Sequence, residues 1–152
     1  GGYIGAYSGY EVKTDNGTIL SVCRWETKTA ADSFTVLKYD TIDKKRQILL
    51  TLPSLFKDNS YVDVISKNII DQMQKQIKTD EGKIYWLDDG VTMPEDVFKE
   101  IDENQNFYIN QDGKLVISFD QFEVAPGYMG TPEFIIPTEV LSDVLVSNEY
   151  IN

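Results

Sequence analysis

Short runs of apolar and aromatic strand formers, separated by turn signals, fill the first third of the chain. Tyr3, Tyr7 and Tyr10 suit an extended, partly packed segment, a first strand ending near Val12. Asp15-Asn16-Gly17 is a strong turn signal, because Asn and Gly tolerate the left-handed backbone of a tight hairpin. Residues 19–26 are rich in strand formers. Residues 33–41 make the next strand, with Phe34 and Val36 on the face opposite Leu37 and Tyr39. A turn over Asp43-Lys44-Lys45 leads to Ile48, Leu50 and Leu52, which alternate again. Connections this short join antiparallel neighbours, so these strands read as a meander.

The period then changes. Pro53-Ser54-Leu55-Phe56 predicts a short helical turn, and Val62, Ile65, Ile69, Met73 and Ile77 fall at steps of three and four. That stripe predicts a helix over 61–79, capped by Ser60, with its apolar face in the core. Residues 83–87 form a short apolar segment of undefined type. Thr92 and Glu95 have the spacing of a capping box, with Pro94 early in the helix they would open, which predicts a second helix to about Ile101. Phe107 and Ile109, then Leu115, Ile117 and Phe119, alternate on either side of Asp112-Gly113, a hairpin signal. Alternation breaks over 122–131 at Pro126, Gly127 and Gly130, and resumes over 133–136. Pro137 ends that strand, and Thr138 is expected to cap a last helix over 139–146. The fold class is therefore α+β, an antiparallel sheet of several strands with helices packed on one face. One domain is expected over 1–152, strand-rich in 1–57, with the helices and the C-terminal hairpin in 58–152.

Composition removes chemistry. With 152 residues and no His, the chain has no Ser-His-Asp or Cys-His catalysis, no His-ligated zinc and no histidine switch. Cys23 is the single cysteine, so it forms no intrachain disulfide or thiolate metal cage. It lies in a strand pattern and reads as a buried, inert thiol. No run approaches 18 apolar residues. The chain opens on Gly1-Gly2 with neither Met nor a signal peptide, and reads as a fragment of a longer protein.

Charge is unevenly placed. Residues 1–79 carry 11 basic and 9 acidic side chains, residues 80–103 carry 2 and 9, and residues 104–152 carry 1 and 7. The acidic half is either a solvated face or a surface that attracts a basic protein. It repels nucleic acid.

No phosphate-binding loop is present. Asp102, Asn104 and Asn106 have calcium-loop spacing, but Phe107 stands where that loop needs Gly, and Gly113 where it needs a carboxylate. Asp88, Asp89, Asp120 and Glu123 could supply paired carboxylates for glycoside hydrolysis, yet nothing in the pattern raises a pKa, and turn-capping is the simpler role. Asn16-Gly17-Thr18 matches the N-glycosylation triplet, a motif with a high chance rate. No cofactor or metal is called for. The segment Pro126-Gly127-Tyr128-Met129-Gly130 fits either recognition or a packed turn between strands.

Residues 107–137, FYINQDGKLVISFDQFEVAPGYMGTPEFIIP, resemble the signature of the RsiV-like and PdaC-like extracytoplasmic domain. The matching elements are the FY strand, the DG turn, the F-x-x-F-E-V-A-P stretch, the Gly four residues on and the E-F-x-I-P strand. LLTLPSLFKDNSYVDVISKNI resembles the family's passage from a leucine-rich strand into an amphipathic helix. The resemblance implies a non-catalytic, extracytoplasmic ligand-binding domain, held at the cell surface by a membrane segment outside 1–152. In the RsiV-like branch it implies an anti-sigma factor ectodomain that senses lysozyme, a basic protein ligand, and touches a sigma factor only through a segment absent here. The alternative is a carbohydrate- or peptidoglycan-binding accessory domain of a cell-wall deacetylase or lipoprotein, for which Trp25 and Trp86 are the aromatics to examine. Many relatives carry Gly-Ala-His in the early strand–strand loop, where this chain has Thr27-Lys28-Thr29-Ala30-Ala31-Asp32. By position, the resemblance places ligand contacts at Pro126, Gly127, Tyr128 and Met129, with Thr29 and Ala30 in the earlier loop.

Overall fold

The computed structural model describes residues 5–29 and 33–152. Tyr3, Ala30, Ala31 and Asp32 lie outside the described residues.

The N-terminal strands form an antiparallel meander in the order expected: β1 (Gly5–Asp15), β2 (Ile19–Thr29), β3 (Ser33–Asp43) and β4 (Ile48–Leu50). Asn16 makes the first turn by accepting the Thr18 and Ile19 amides on its Oδ1, at 2.8 and 2.9 Å. β2 runs three residues beyond the apolar pattern. Polar cross-strand pairs carry the extension, Thr27 with Thr35 at 3.0 Å and Thr29 with Ser33 at 3.2 Å. A bulge between Val12 and Thr14 releases Lys13 from the ladder, and its ammonium sits 5.3 Å from the Tyr108 ring centre.

The remaining strands form a second antiparallel sheet of β5 (Phe107–Ile109), β6 (Leu115–Ser118) and β7 (Glu133–Ile136), in that order. Every residue of β5 and β6 is buried, because both faces are covered at these two strands, while Glu133 and Ile135 of β7 are exposed. On one face Ile109, Leu115, Ile117, Phe134 and Ile136 join Ile65, Ile69 and Met73 of α1 (Tyr61–Thr79) in the core. Each such aliphatic side chain contributes about 1.5–3 kcal/mol on leaving water. On the other face Tyr39 of β3 stacks on Tyr108 at 5.4 Å, and its hydroxyl donates to Ser118 Oγ at 3.0 Å. Thr14 Oγ1 donates to the Ile109 carbonyl, tying the meander to β5.

The α1 bounds are those of the stripe, but Ser60 does not cap it. Ser60 has helical dihedrals and makes no side-chain cap bond; its own amide donates to Asp58 Oδ1 at 2.9 Å. The helix expected to end near Ile101 is absent. Asp89 takes the Val91 and Thr92 amides on Oδ1, which uses Thr92 in a turn. Beyond it, Asp96 N–H closes a single turn on Met93 O, but Phe98 N–H donates to Trp86 O and Ile101 N–H to Ser66 Oγ, so no run of helical bonds forms. The last helix, α2 (Thr138–Leu141), is a single turn. Thr138 lies inside it and donates to the Asn152 carbonyl instead of capping. Two backbone bonds, Lys57 to Val144 O and Val146 to Leu55 O, then pull the chain into a bridge between Phe56 and Leu145.

The contact between the sheets makes stability sensitive to alkali. Burial raises the Tyr39 hydroxyl above the usual tyrosine range, and burial together with a hydrogen bond to Glu133 raises Tyr108. A raised folded pKa contributes stability that is complete below the unfolded value of about 10 and is lost as pH climbs above it. The urea midpoint is therefore expected to fall above about pH 10, and to fall less steeply in Tyr39→Phe than in the wild type. Equal slopes in the two proteins would refute this assignment.

Candidate partner-binding site

The segment between β6 and β7 leaves the sheet at Asp120 and returns at Glu133. Its base is fastened from several sides. Asp120 Oδ1 accepts the Leu37 amide of β3 at 3.1 Å, and Asn106 Nδ2 donates to the Leu37 carbonyl at 3.0 Å. Glu123 Oε1 accepts the Asp120 amide at 3.0 Å, and Glu123 Oε2 accepts from Gln105 Nε2 at 3.1 Å. Val124 and Ala125 are fully buried and root the loop in the core. Trp86 N–H donates to Val124 O at 2.8 Å, laying residues of the 80s alongside.

Beyond this root the chain turns through a 3-10 segment, Gly127–Met129, entered from Pro126 in an extended conformation. Gln121 Nε2 donates to Gly127 O at 2.8 Å and braces the turn. A Cβ on Gly127 would lie 2.5 Å from Phe122 Cζ, so a larger residue there would displace the half-exposed Phe122 ring. Pro126 is half-buried, and Met129 packs against the core. Tyr128 stands out, 66% exposed, with its hydroxyl donating to Gly82 O at 3.1 Å. Four residues meant for one site thus divide: Pro126, Gly127 and Met129 shape the turn, and Tyr128 faces solvent.

Thr29 is not brought to this loop. It ends β2, four residues past Trp25, the partner of Leu37 where the loop is tied, or about 13 Å further along the ribbon at strand rise. Ala30 lies outside the described residues. Trp25 is half-buried and lies across Gly9, where a Cβ would come within 2.4 Å of the indole. A shallow groove of about 420 Å³ crosses the opposite face of the ribbon between Tyr10, Arg24, Val36 and Lys38, and by strand alternation Trp25 meets it only with its backbone. Trp86 is half-buried, its backbone held between Val124 and Phe98.

The other candidate groups are engaged in structure. Cys23 is buried, and burial raises its thiol, which disfavours the nucleophilic thiolate at neutral pH. Asp89 is held below the usual carboxylate range by the amides of Thr92 and Val91, the reverse of what a general acid needs. In the segment with calcium-loop spacing, Asp102 takes the Asn104 amide and Asn106 is spent on Leu37. Among the described residues no three His, Cys, Asp or Glu side chains are grouped to hold a metal. None of the described helices is long and apolar enough to cross a membrane.

An open cleft of about 930 Å³ adjoins the loop at Glu123 and Val124. Asp63, Glu95, Asp96, Glu100 and Asp102 line it, against the single cation Lys99. Part of the acidic excess of the C-terminal half thus lines a cleft that reaches the root of the loop at Glu123 and Val124.

Residues 53–139 match the family model described as protein of unknown function (DUF3298). The chain belongs to the DUF3298 family. Over 150 residues this DUF3298 chain is 55% identical to the anti-sigma-V factor RsiV of Bacillus subtilis (strain 168), an alignment covering 99% of the chain and 52% of that protein. The chain spans about half the length of this relative. The fold recurs in the crystal structure of a DUF3298 family protein from Pseudomonas aeruginosa PAO1, with a TM-score of 0.68 at 12% identity, over 97% of this chain and 64% of that one. It recurs again in a DUF3298 member from Bacteroides fragilis NCTC 9343, with a TM-score of 0.63 at 18% identity, over 94% of this chain and 55% of that one. The matched region runs from the turn before α1 to the start of α2, so it contains the whole loop around Tyr128.

Proposed function

We propose that this DUF3298 domain is the extracytoplasmic, non-catalytic ligand-binding part of an anti-sigma factor, and that its ligand is a basic muramidase of the lysozyme type. The observation that carries the reading is Tyr128, an exposed aromatic on a loop held by four side-chain hydrogen bonds: Leu37 N–H to Asp120, Asp120 N–H to Glu123, Gln105 to Glu123 and Gln121 to Gly127. A loop already ordered before binding loses little entropy on meeting a partner. Two further facts support the reading: the relation to an anti-sigma factor over nearly the whole chain, and the acidic cleft beside the loop. The buried thiol and the turn-capping carboxylates leave the site suited to recognition and poorly suited to hydrolysis. Attachment to a membrane and contact with a sigma factor belong to segments outside this chain.

Charge complementarity speeds encounter and is screened by salt, with a Debye length of about 8 Å at 0.15 M. Association of the purified domain with a C-type lysozyme is expected to slow markedly from low to high salt, while dissociation changes less. Surface plasmon resonance across a salt series measures both rates. Failure to bind with a Kd below about 100 μM, or about −5.5 kcal/mol, would reject lysozyme-type ligands.

A further inference from the structure

Phe122 has a backbone conformation that its side chain opposes. Its φ is +70°, and the residue is 52% exposed. A bulky L-residue in the left-handed region is a steric outlier, and such strain persists only where surrounding structure enforces it. Gln47, the other described non-glycine with positive φ, sits in the tight turn between β3 and β4, which demands that conformation. Phe122 is the third residue of the turn closed by Glu123 N–H on Asp120 O at 3.1 Å, a position that takes positive φ and favours Gly or Asn. Its neighbours enforce the geometry: Glu123 is locked to Asp120 through both backbone and side chain, and Gln121 is braced on Gly127. Burial does not offset the strain, since about half the ring still meets water. The ring lies against Gly127, the residue before Tyr128, where an added Cβ would displace it. The chain thus accepts strain at Phe122, and the product is a second exposed ring on the loop that presents Tyr128.

We infer that Phe122 is a second aromatic anchor of the interface, held in a strained conformation that presents its ring to the same partner as Tyr128. The inference rests on the reading of the loop as the binding site for a basic muramidase. Aromatic side chains are the common centres of such interfaces, and the carboxylates of Asp120 and Glu123 flank this ring in the chain. The sequence pattern does not reveal the role, because Phe122 there only opens the stretch in which alternation breaks.

Two variants separate an anchor from a packing residue. Phe122→Gly removes both ring and strain, and Phe122→Asn removes the ring while tolerating the left-handed backbone. Each is measured for melting temperature and for affinity to a C-type lysozyme, beside the wild type. The expected result is a melting temperature equal to or above wild type in both, with affinity at least tenfold weaker. Affinity within threefold of wild type in either variant overturns the inference, and so does a fall of melting temperature in step with affinity in both. Absence of wild-type binding overturns the reading on which the inference rests, and the inference with it. Normal wild-type binding with unaffected Phe122 variants overturns the inference alone.

Discussion

Tyr128→Ala is expected to weaken lysozyme binding by about 2 kcal/mol or more, while the melting temperature stays within a few degrees of wild type. The ring is 66% exposed, so its removal opens no cavity. The single bond it makes, from its hydroxyl to Gly82 O, is itself solvent-exposed and contributes at most about 0.5–1.5 kcal/mol. The fixed part of the loop lies elsewhere, in Val124, Ala125 and the Asp120–Glu123 lock, and the substitution leaves these untouched. A titration by calorimetry together with a thermal melt decides the matter. Loss of stability with unchanged affinity would make Tyr128 a packing residue and remove the observation on which the proposed function stands.

Phe119→Ala is expected to have the opposite signature, a loss of about 3–5 kcal/mol in folding stability. Phe119 is completely buried and lies edge-on to both Phe98 and Phe134, at 5.4 and 5.8 Å between ring centres. Each such pair contributes about 0.5–1.5 kcal/mol beyond its buried area. The three rings join the irregular segment before β5, the end of β6 and β7, so one truncation loosens three parts of the fold. Against a total stability of about 5–15 kcal/mol this is a large fraction. Urea denaturation measures it, and a loss below about 1.5 kcal/mol would show that the cluster is not a shared core.

These two residues also show what the sequence discloses. The meander, α1 and the second hairpin were legible because each couples a clean period to a local stop signal: Asn16-Gly17, the 62–73 stripe and Asp112-Gly113. The helix expected over 92–101 was not, although Phe98 and Ile101 have helical spacing. Those residues are buried by partners 12 and 35 positions away, Trp86 and Ser66, and no local pattern reports such bonds. α2 falls short in the same way: after Val144 and Leu145 bond back to Leu141 O, the bridge from Phe56 to Leu145 draws the chain away. Division of the strands into two sheets was equally hidden, since alternation specifies a buried side and not what covers it. At the candidate site, the break at Pro126-Gly127 marked a loop, but the pattern fitted a packed turn as well as a recognition loop and did not show that Tyr128 faces solvent. Its relation to Gly82, the distance to Thr29 and the strain at Phe122 depend on contacts across the chain.

Burial of β6 on both faces has a consequence for how that strand finds its place. In a half-buried strand, sliding by one residue turns greasy side chains outward, and water enforces the alignment. Leu115, Val116 and Ile117 are buried whichever way they face, so water would tolerate a slipped β6. The alignment has to come from chemistry that matches at only one offset: the Ser118 hydroxyl under Tyr39, and the Ser118 carbonyl on Gln105. A few buried polar groups act here as notches on a key, and since β6 leads straight into Asp120, they also determine where the Tyr128 loop begins.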